Sequence, residues 1–172
     1  QVCNSKYGKN GWLGVAQIGV SGSHIVRGAV KVNDTYFNTP TYNTPAWRRL
    51  VTCQEVAHTF GLAHQDEIFN NANLGSCMDY TNDPDGPLSN ERPNAHDYQQ
   101  LETIYAHLDS FATSGAGASE GGPGKSGLAD IDVSEPGQWG KALRHDGNGR
   151  PSLYGRDLGG GGKVFTFVFW AD

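Results

Sequence analysis

Two short apolar runs with β-branched residues lie near the amino terminus, at residues 12–18 and 25–32. The Ser21-Gly22-Ser23 sequence between them is typical of a turn, so the pattern predicts two consecutive strands. Residues 33–44 are rich in Asn, Thr, Tyr and Pro, a composition that favours a loop because such polar side chains bond their own backbone. We therefore expect a strand pair followed by an irregular connection.

A helical period begins at Thr44-Pro45. Threonine is a favourable N-cap, and proline is favourable at the first helical position because no useful N–H is lost there. Residues at spacings of three and four then share one face, and the helix is predicted to end near Gly61. This face comprises Trp47, Leu50, Val51, Gln54 and His58.

A second helix is predicted from about Asn94 to Phe111, after an irregular segment over residues 65–94. Its apolar stripe, which we expect to face the core, comprises Tyr98, Leu101, Ile104, Tyr105 and Leu108. The carboxyl-terminal part is β-like instead. Its apolar runs lie at residues 139–145, 152–154 and 164–170, and the polar and glycine-rich breaks between them predict a small antiparallel meander.

The fold class predicted from this order of elements is α+β. Residues 1–112 form the expected core, and residues 113–127 are Gly/Ser-rich and predict a linker or exposed loop. Residues 128–172 form a β-rich extension. Because about 45 residues rarely hold a core alone, we expect this extension to pack on the first part.

Composition excludes two classes of partner. The 172 residues include 13 basic and 18 acidic side chains, and no dense basic run offers a surface for a polyphosphate backbone, which argues against nucleic acid. The longest nearly apolar stretch, residues 164–171, is far shorter than the roughly 20 residues that span a bilayer, which argues against a membrane protein. Three cysteines permit one intrachain disulfide at most.

The segment from Cys53 to His64 carries the candidate chemistry. Gln54 and His58 are one helical turn apart and project together, and Glu55 lies about 100° round the helix, within reach of the same ion. Gly61 allows a sharp turn that returns His64 toward His58. Two imidazoles and a nearby carboxylate that serves as general base are the groups that a catalytic zinc requires.

The chain here resembles the metzincin clan of zinc endopeptidases, whose signature is HExxHxxGxxH followed by a methionine-containing turn. The matching residues are Glu55, His58, Gly61 and His64, and then the sequence from Ser76 to Tyr80, which contains Met78, the one methionine of the chain. The resemblance implies a zincin fold, with a short mixed sheet, an active-site helix and a later helix. It also implies that the Met-turn lies below a zinc ion.

This resemblance implies roles for individual residues. Zinc would be held by Gln54, His58 and His64, Glu55 would act as general base, and Tyr80 would stabilise the oxyanion. Met78 would support the site from below. The expected substrate is a protein or peptide.

Gln54 departs from the family pattern, which has histidine at the first ligand position. Three interpretations stay open: the amide oxygen is the third ligand, another group such as His96 replaces it, or the site is a metal-poor relic. The chain also has only 11 residues before Trp12. The upper part of the fold is therefore minimal, or an upstream portion was removed, or strands from 139–170 complete the sheet.

The resemblance brings Cys53 close to Cys77, because the Met-turn would lie beneath the helix. We therefore expect a disulfide between them, and with it an extracellular setting, while a thiolate ligand is the alternative. Cys3 is left over.

The predicted function is that of a secreted zinc endopeptidase. The chief alternative is a catalytically impaired binding module with the zincin frame, suggested by Gln54. A zinc hydrolase acting on a non-peptide substrate is a third, suggested by the aromatic residues Trp139, Tyr154 and Trp170. The Asp83-Pro84-Asp85-Gly86 sequence also hints at a Ca²⁺ loop, although Arg92 stands where its closing glutamate belongs, so only an irregular calcium site is expected.

Overall fold

The computed structural model describes residues 1–107 and 134–171. The predicted linker at 113–127 and the end of the predicted second helix, with Leu108, lie outside these residues. One mixed sheet of six strands dominates the described part, in the order β1-β3-β2-β6-β5-β4. The strands are β1 (Val2–Ser5), β2 (Trp12–Ser21), β3 (His24–Asn33), β4 (Lys141–His145), β5 (Pro151–Gly159) and β6 (Gly162–Trp170). The predicted α+β class is confirmed.

The carboxyl-terminal meander belongs to the main sheet. β6 pairs antiparallel with β2 along nearly its whole length, from Trp12 opposite Trp170 to Ser21 opposite Gly162. Only the pairing of β1 with β3 is parallel. Strands from the carboxyl-terminal region therefore belong to the same sheet as the amino-terminal strands.

Three α-helices accompany the sheet in the described residues: α1 (Asp34–Phe37), α2 (Pro45–His58) and α3 (Ala95–Ile104). The predicted start of α2 is confirmed, since Thr44 Oγ1 accepts a hydrogen bond from Trp47 N at 3.2 Å. The predicted loop at 33–44 is wrong at its beginning, because the Asn33 side chain caps a short helix there. In α3 the cap is Asn94, whose side chain and that of Asp97 form a capping box.

Helix α2 packs across one face of the sheet, over β2 and β6. Its apolar side chains meet Leu13 and Ala16 of β2 and Phe167 and Phe169 of β6 in the main core. A smaller cluster covers the opposite face, built from Trp12, Val15, Ala29, Trp139 and Val168. Because Trp139 is fully buried there, and Tyr154 and Trp170 pack against it, these aromatics form packing contacts.

The expected burial of the α3 stripe is wrong for two of its residues. Tyr98 and Tyr105 are 57% and 54% exposed. Only Leu101 and Ile104 pack against the main core. A tyrosine tolerates this position because its hydroxyl stays hydrated or bonded, as when Tyr105 OH donates to Phe60 O. Within residues 1–107 and 134–171, no helix is long and apolar enough to cross a bilayer.

Candidate metal centre

Two histidines meet at the carboxyl end of α2. His58 is the last residue of the helix, and Gly61, with φ near +91°, turns the chain so that His64 returns to it. The Nε2 atoms of the two rings lie 2.9 Å apart. The predicted return of His64 toward His58 is thus present in the structure.

The partners of the two Nδ1 atoms indicate which nitrogen of each ring carries a hydrogen. His58 Nδ1 lies 2.8 Å from Leu62 O, and His64 Nδ1 lies 2.6 Å from Glu67 Oε1. Because both partners are acceptors, each ring places a hydrogen on Nδ1, so that two Nε2 lone pairs face each other when both rings are neutral. A proton or a metal cation between the two atoms removes the repulsion of these lone pairs, and neutral Nε2 donors are what zinc takes from histidine.

Gln54 lies one turn before His58 on α2 and is fully buried. Its Nε2 donates to Cys77 O at 2.9 Å, which fixes the orientation of the amide. Its Oε1 is buried and has no hydrogen-bond partner among the described residues. A buried acceptor without a partner is uncommon and requires an explanation, and a bound cation supplies one. The donor set of two imidazoles and an amide oxygen therefore fits zinc.

Glu55 is enclosed between α2 and the sheet, with no exposed surface. Gly14 of β2 makes room for it, since a Cβ at that position would lie 2.7 Å from Glu55 Cγ. Neither carboxyl oxygen has a hydrogen-bond partner among the described residues. Burial raises the pKa of this carboxyl well above its usual range, and the nearby backbone of Phe169 and Ala16 lowers it by less. Glu55 is thus poised to hold or accept a proton.

The turn that contains Met78 lies against the helix. The predicted disulfide is confirmed: Cys53 and Cys77 are bonded, with Cα atoms 5.9 Å apart. Met78 is fully buried, and its backbone N–H is bonded to Ser76 Oγ at 2.9 Å. The bridge therefore ties this turn to α2 directly beside Gln54.

Tyr80 lies next to the histidine pair but its hydroxyl faces β6. Its ring centroid is 4.6 Å from that of His64, and its hydroxyl donates to Val168 O at 3.3 Å. Burial raises the pKa of Tyr80 well above its usual range, and the charges of Glu67 and Glu55 raise it further. Tyr80 is therefore a neutral hydrogen-bond donor at any ordinary pH.

Strand β6 covers the His58 ring. The Phe167 ring stacks on the His58 ring, with centroids 3.9 Å apart and planes 11° apart. His58 is 1% exposed. Burial, together with the charge of His64, lowers the pKa of His58 well below its usual value. The closed surroundings thus keep the His58 ring neutral, as a metal ligand must be.

Sequence reasoning missed Glu67, which accepts from both His64 and Ser152. Burial raises the pKa of Glu67, but hydrogen bonds and charges from His64, Ser152 and Arg144 outweigh it, so that the pKa is lowered. Its position three residues after His64 was the signal from which a contact between the two side chains could have been predicted. The contacts of Ser152 with Glu67 and of Phe167 with His58 could not be predicted from the sequence, because they depend on how strands far apart in the chain pair.

Two other predicted positions lie away from the histidine pair. The side chain of His96 is 54% exposed at the start of α3, where its nearest described carboxylate is Asp97. Asp83 and Asp85 are exposed. Among the residues that the structure describes, no group of three or more His, Cys, Asp or Glu side chains gathers as a metal-binding cluster.

Comparisons with known proteins identify no family for this chain. No protein-family model, no curated protein and no solved structure matches the chain. The chemistry of the site therefore depends on the contacts described above.

Proposed function

We propose that this protein is a secreted zinc-dependent endopeptidase. The observation that carries the proposal is the pair of Nε2 atoms 2.9 Å apart, each in a ring held by an acceptor on Nδ1. One helical turn before His58, the buried Gln54 Oε1 has no hydrogen-bond partner among the described residues. When bound, zinc supplies a Lewis acid that polarises a carbonyl and acidifies water. His58, His64 and Gln54 would hold it.

The residues around the pair suit the acid–base part of peptide hydrolysis. Neither carboxyl oxygen of Glu55 has a hydrogen-bond partner among the described residues, so both are free for water. In its ionised form Glu55 would take a proton from water and pass it to the leaving amine. Tyr80, which stays neutral, donates a hydrogen bond to the developing oxyanion once its hydroxyl leaves Val168 O. The Cys53–Cys77 disulfide supports secretion, because such bonds persist in oxidising compartments.

A second candidate is a non-catalytic zinc-binding module. It is favoured by the burial of His58 and Glu55 beneath β6, which leaves a peptide no direct path to the pair. In this case the metal would stabilise the fold and would bind no substrate.

One set of measurements separates the candidates. Zinc content of the purified chain is determined by elemental analysis, and casein cleavage is then measured with and without a chelator. The endopeptidase proposal expects bound zinc, chelator-sensitive cleavage, and a loss of activity of about 100- to 10,000-fold in Glu55→Ala with zinc retained. Zinc without cleavage supports the binding module. Protein without zinc contradicts both.

Glu102→Ala is the matched control for Glu55→Ala. It also removes a glutamate, but an exposed one on α3. Cleavage by this variant is expected to equal that of the wild type. Full activity in Glu55→Ala would contradict the assigned role of Glu55.

A further inference from the structure

A chain of polar contacts runs from His64 into the carboxyl-terminal strands. His64 Nδ1 lies 2.6 Å from Glu67 Oε1, and Ser152 Oγ of β5 donates to Glu67 Oε2 at 2.7 Å. Arg144 of β4 lies with its guanidinium 3.5 Å from the same Oε1. The side chains of His64 and Glu67 are 2% and 12% exposed. Both carboxylate oxygens of Glu67 therefore have partners in a largely buried setting.

We propose that Glu67 is a positioning residue for the metal site, and that Ser152 and Arg144 hold it in place. This inference rests on the proposed zinc site. It makes β4 and β5 part of that site, although Ser152 is 85 residues from Glu67 in the chain.

A histidine binds metal through one nitrogen, and the acceptor on its other nitrogen decides which one is free. A carboxylate on Nδ1–H fixes the ring orientation and raises the basicity of Nε2. Glu67 is such an acceptor, because its Oε1 lies 2.6 Å from His64 Nδ1 and its Oε2 is held by Ser152 Oγ.

The two histidines differ in the kind of acceptor that holds Nδ1–H. His58 is held by a backbone carbonyl, that of Leu62, within a turn that follows its own helix. His64 follows that turn, and its described partner on Nδ1 is the side chain of Glu67. The orientation of His64 therefore depends on the Glu67 side chain, which is held in turn by a hydrogen bond from Ser152.

The first test measures zinc affinity of the full chain by competition with a chromogenic chelator. Glu67→Ala is expected to weaken zinc binding about 10- to 100-fold, the range typical of lost outer partners of metal ligands. Ser152→Ala is expected to weaken it less, since the contact of Glu67 with His64 remains. Glu102→Ala, which removes an exposed carboxylate on α3, is expected to leave the affinity unchanged.

The second test reads the tautomer of His64 in zinc-free protein, from the ¹⁵N imidazole shifts. The hydrogen is expected on Nδ1 in the wild type and in Glu67→Gln, whose amide oxygen still accepts it. In folded Glu67→Ala it is expected to shift toward a mixture with Nε2. A purely structural role for Glu67 would not move this signal.

The outcomes separate the inference from the proposed function. Wild-type protein that binds no zinc contradicts the proposed function, and the imidazole shifts still decide on Glu67. Zinc binding with unchanged affinity and unchanged tautomer in folded Glu67→Ala overturns the inference alone. If Glu67→Ala does not fold, Glu67→Gln carries the test: weaker zinc binding with the same tautomer supports the positioning role, and unchanged affinity overturns it.

Discussion

Two buried polar clusters flank the turn that contains Met78, and they differ in how their hydrogen bonds are satisfied. Around Asp97, which is 1% exposed, both carboxylate oxygens are bonded. Ser76 Oγ and Asn94 N donate to one oxygen at 2.6 and 2.8 Å, and Gln65 Nε2 donates to the other at 2.8 Å. Gln54 and Glu55, by contrast, have three buried oxygens without a partner in the part of the chain that the structure describes.

The contrast distinguishes buried polar groups that the described chain satisfies from buried polar groups that it leaves unsatisfied. Folding normally leaves few buried oxygens without a partner, so each exception requires an explanation. Gln54 Oε1 and both carboxyl oxygens of Glu55 have no partner among the described residues, and Gln54 lies one helical turn before His58. Under the proposed function, their partners would be a zinc ion and a water.

The largest effect is expected from breaking the satisfied cluster. Asp97→Ala leaves the buried Ser76 hydroxyl and the half-buried Asn94 N–H without this acceptor, and it takes one of two acceptors from Gln65 Nε2. We expect the free energy of unfolding to fall by about 3–5 kcal/mol. Urea denaturation of the full chain measures the change. The control is Asp157→Ala, which removes an exposed carboxylate bonded to Gly159 N and should change little. A loss no larger than that of the control would contradict the structural role of Asp97.

The next effect concerns the charge of Glu55 in zinc-free protein. Because its pKa is raised on folding, the folded state holds a proton that the unfolded state releases above its ordinary pKa of 4.5. Stability is therefore lost as pH rises from that value toward the folded pKa, by about 1.4 kcal/mol per pH unit. Glu55→Gln stays neutral throughout.

Denaturation at several pH values measures this difference. The variant is expected to gain stability over the wild type steadily above pH 4.5, and to show no such gain below it. Parallel stability curves for the two proteins would mean that Glu55 ionises normally in the folded state.

A smaller effect is expected from filling the space beside Glu55. A Cβ at Gly14 would lie 2.6 Å from Val51 Cγ1 and 2.7 Å from Glu55 Cγ, so Gly14→Ala should cost about 1–3 kcal/mol. Gly28→Ala on β3 is the control, because its Cβ would meet Thr59 at 3.0 Å and a smaller shift relieves the contact. Thermal unfolding compares the two. Equal losses would show that the space around Glu55 is not especially tight.

The smallest effect on stability is expected at Gln54. Gln54→Leu removes an orphaned oxygen together with one hydrogen bond to Cys77 O, so zinc-free stability should change by about 1 kcal/mol or less. Zinc affinity should fall, and in Gln54→His it should rise, because imidazole is a stronger donor to zinc than an amide oxygen. Calorimetric zinc titration measures both. Unchanged affinity in both variants would exclude residue 54 as a ligand.

Local signals in the sequence predicted the elements that depend on near neighbours. Thr44 and Pro45 predicted the start of α2, and Gly61 predicted the turn that brings His64 to His58. The pairing of Cys53 with Cys77 followed from the resemblance to metzincins. The ligand roles of Gln54, His58 and His64 and the catalytic roles of Glu55 and Tyr80 stay predictions.

What could not be predicted depends on distant pairing. Gln17 Nε2 of β2 donates to Thr166 Oγ1 of β6 at 3.2 Å, although 149 residues separate them. A strand's periodicity indicates which face is buried but does not name its neighbour. Hence neither the stacking of Phe167 on His58 nor the support of Glu67 by Ser152 was foreseen.

The interior position of β6 has a consequence for synthesis of the chain. β6 follows β2 by roughly 140 residues, which a ribosome needs on the order of 10–30 s to add. During that interval the edge of β2 that β6 covers has no partner from within the chain, and an open edge invites pairing with strands of other molecules. Expression at lower temperature or with chaperones should therefore raise the yield of monomeric protein, because newly made chains must avoid one another until β6 arrives.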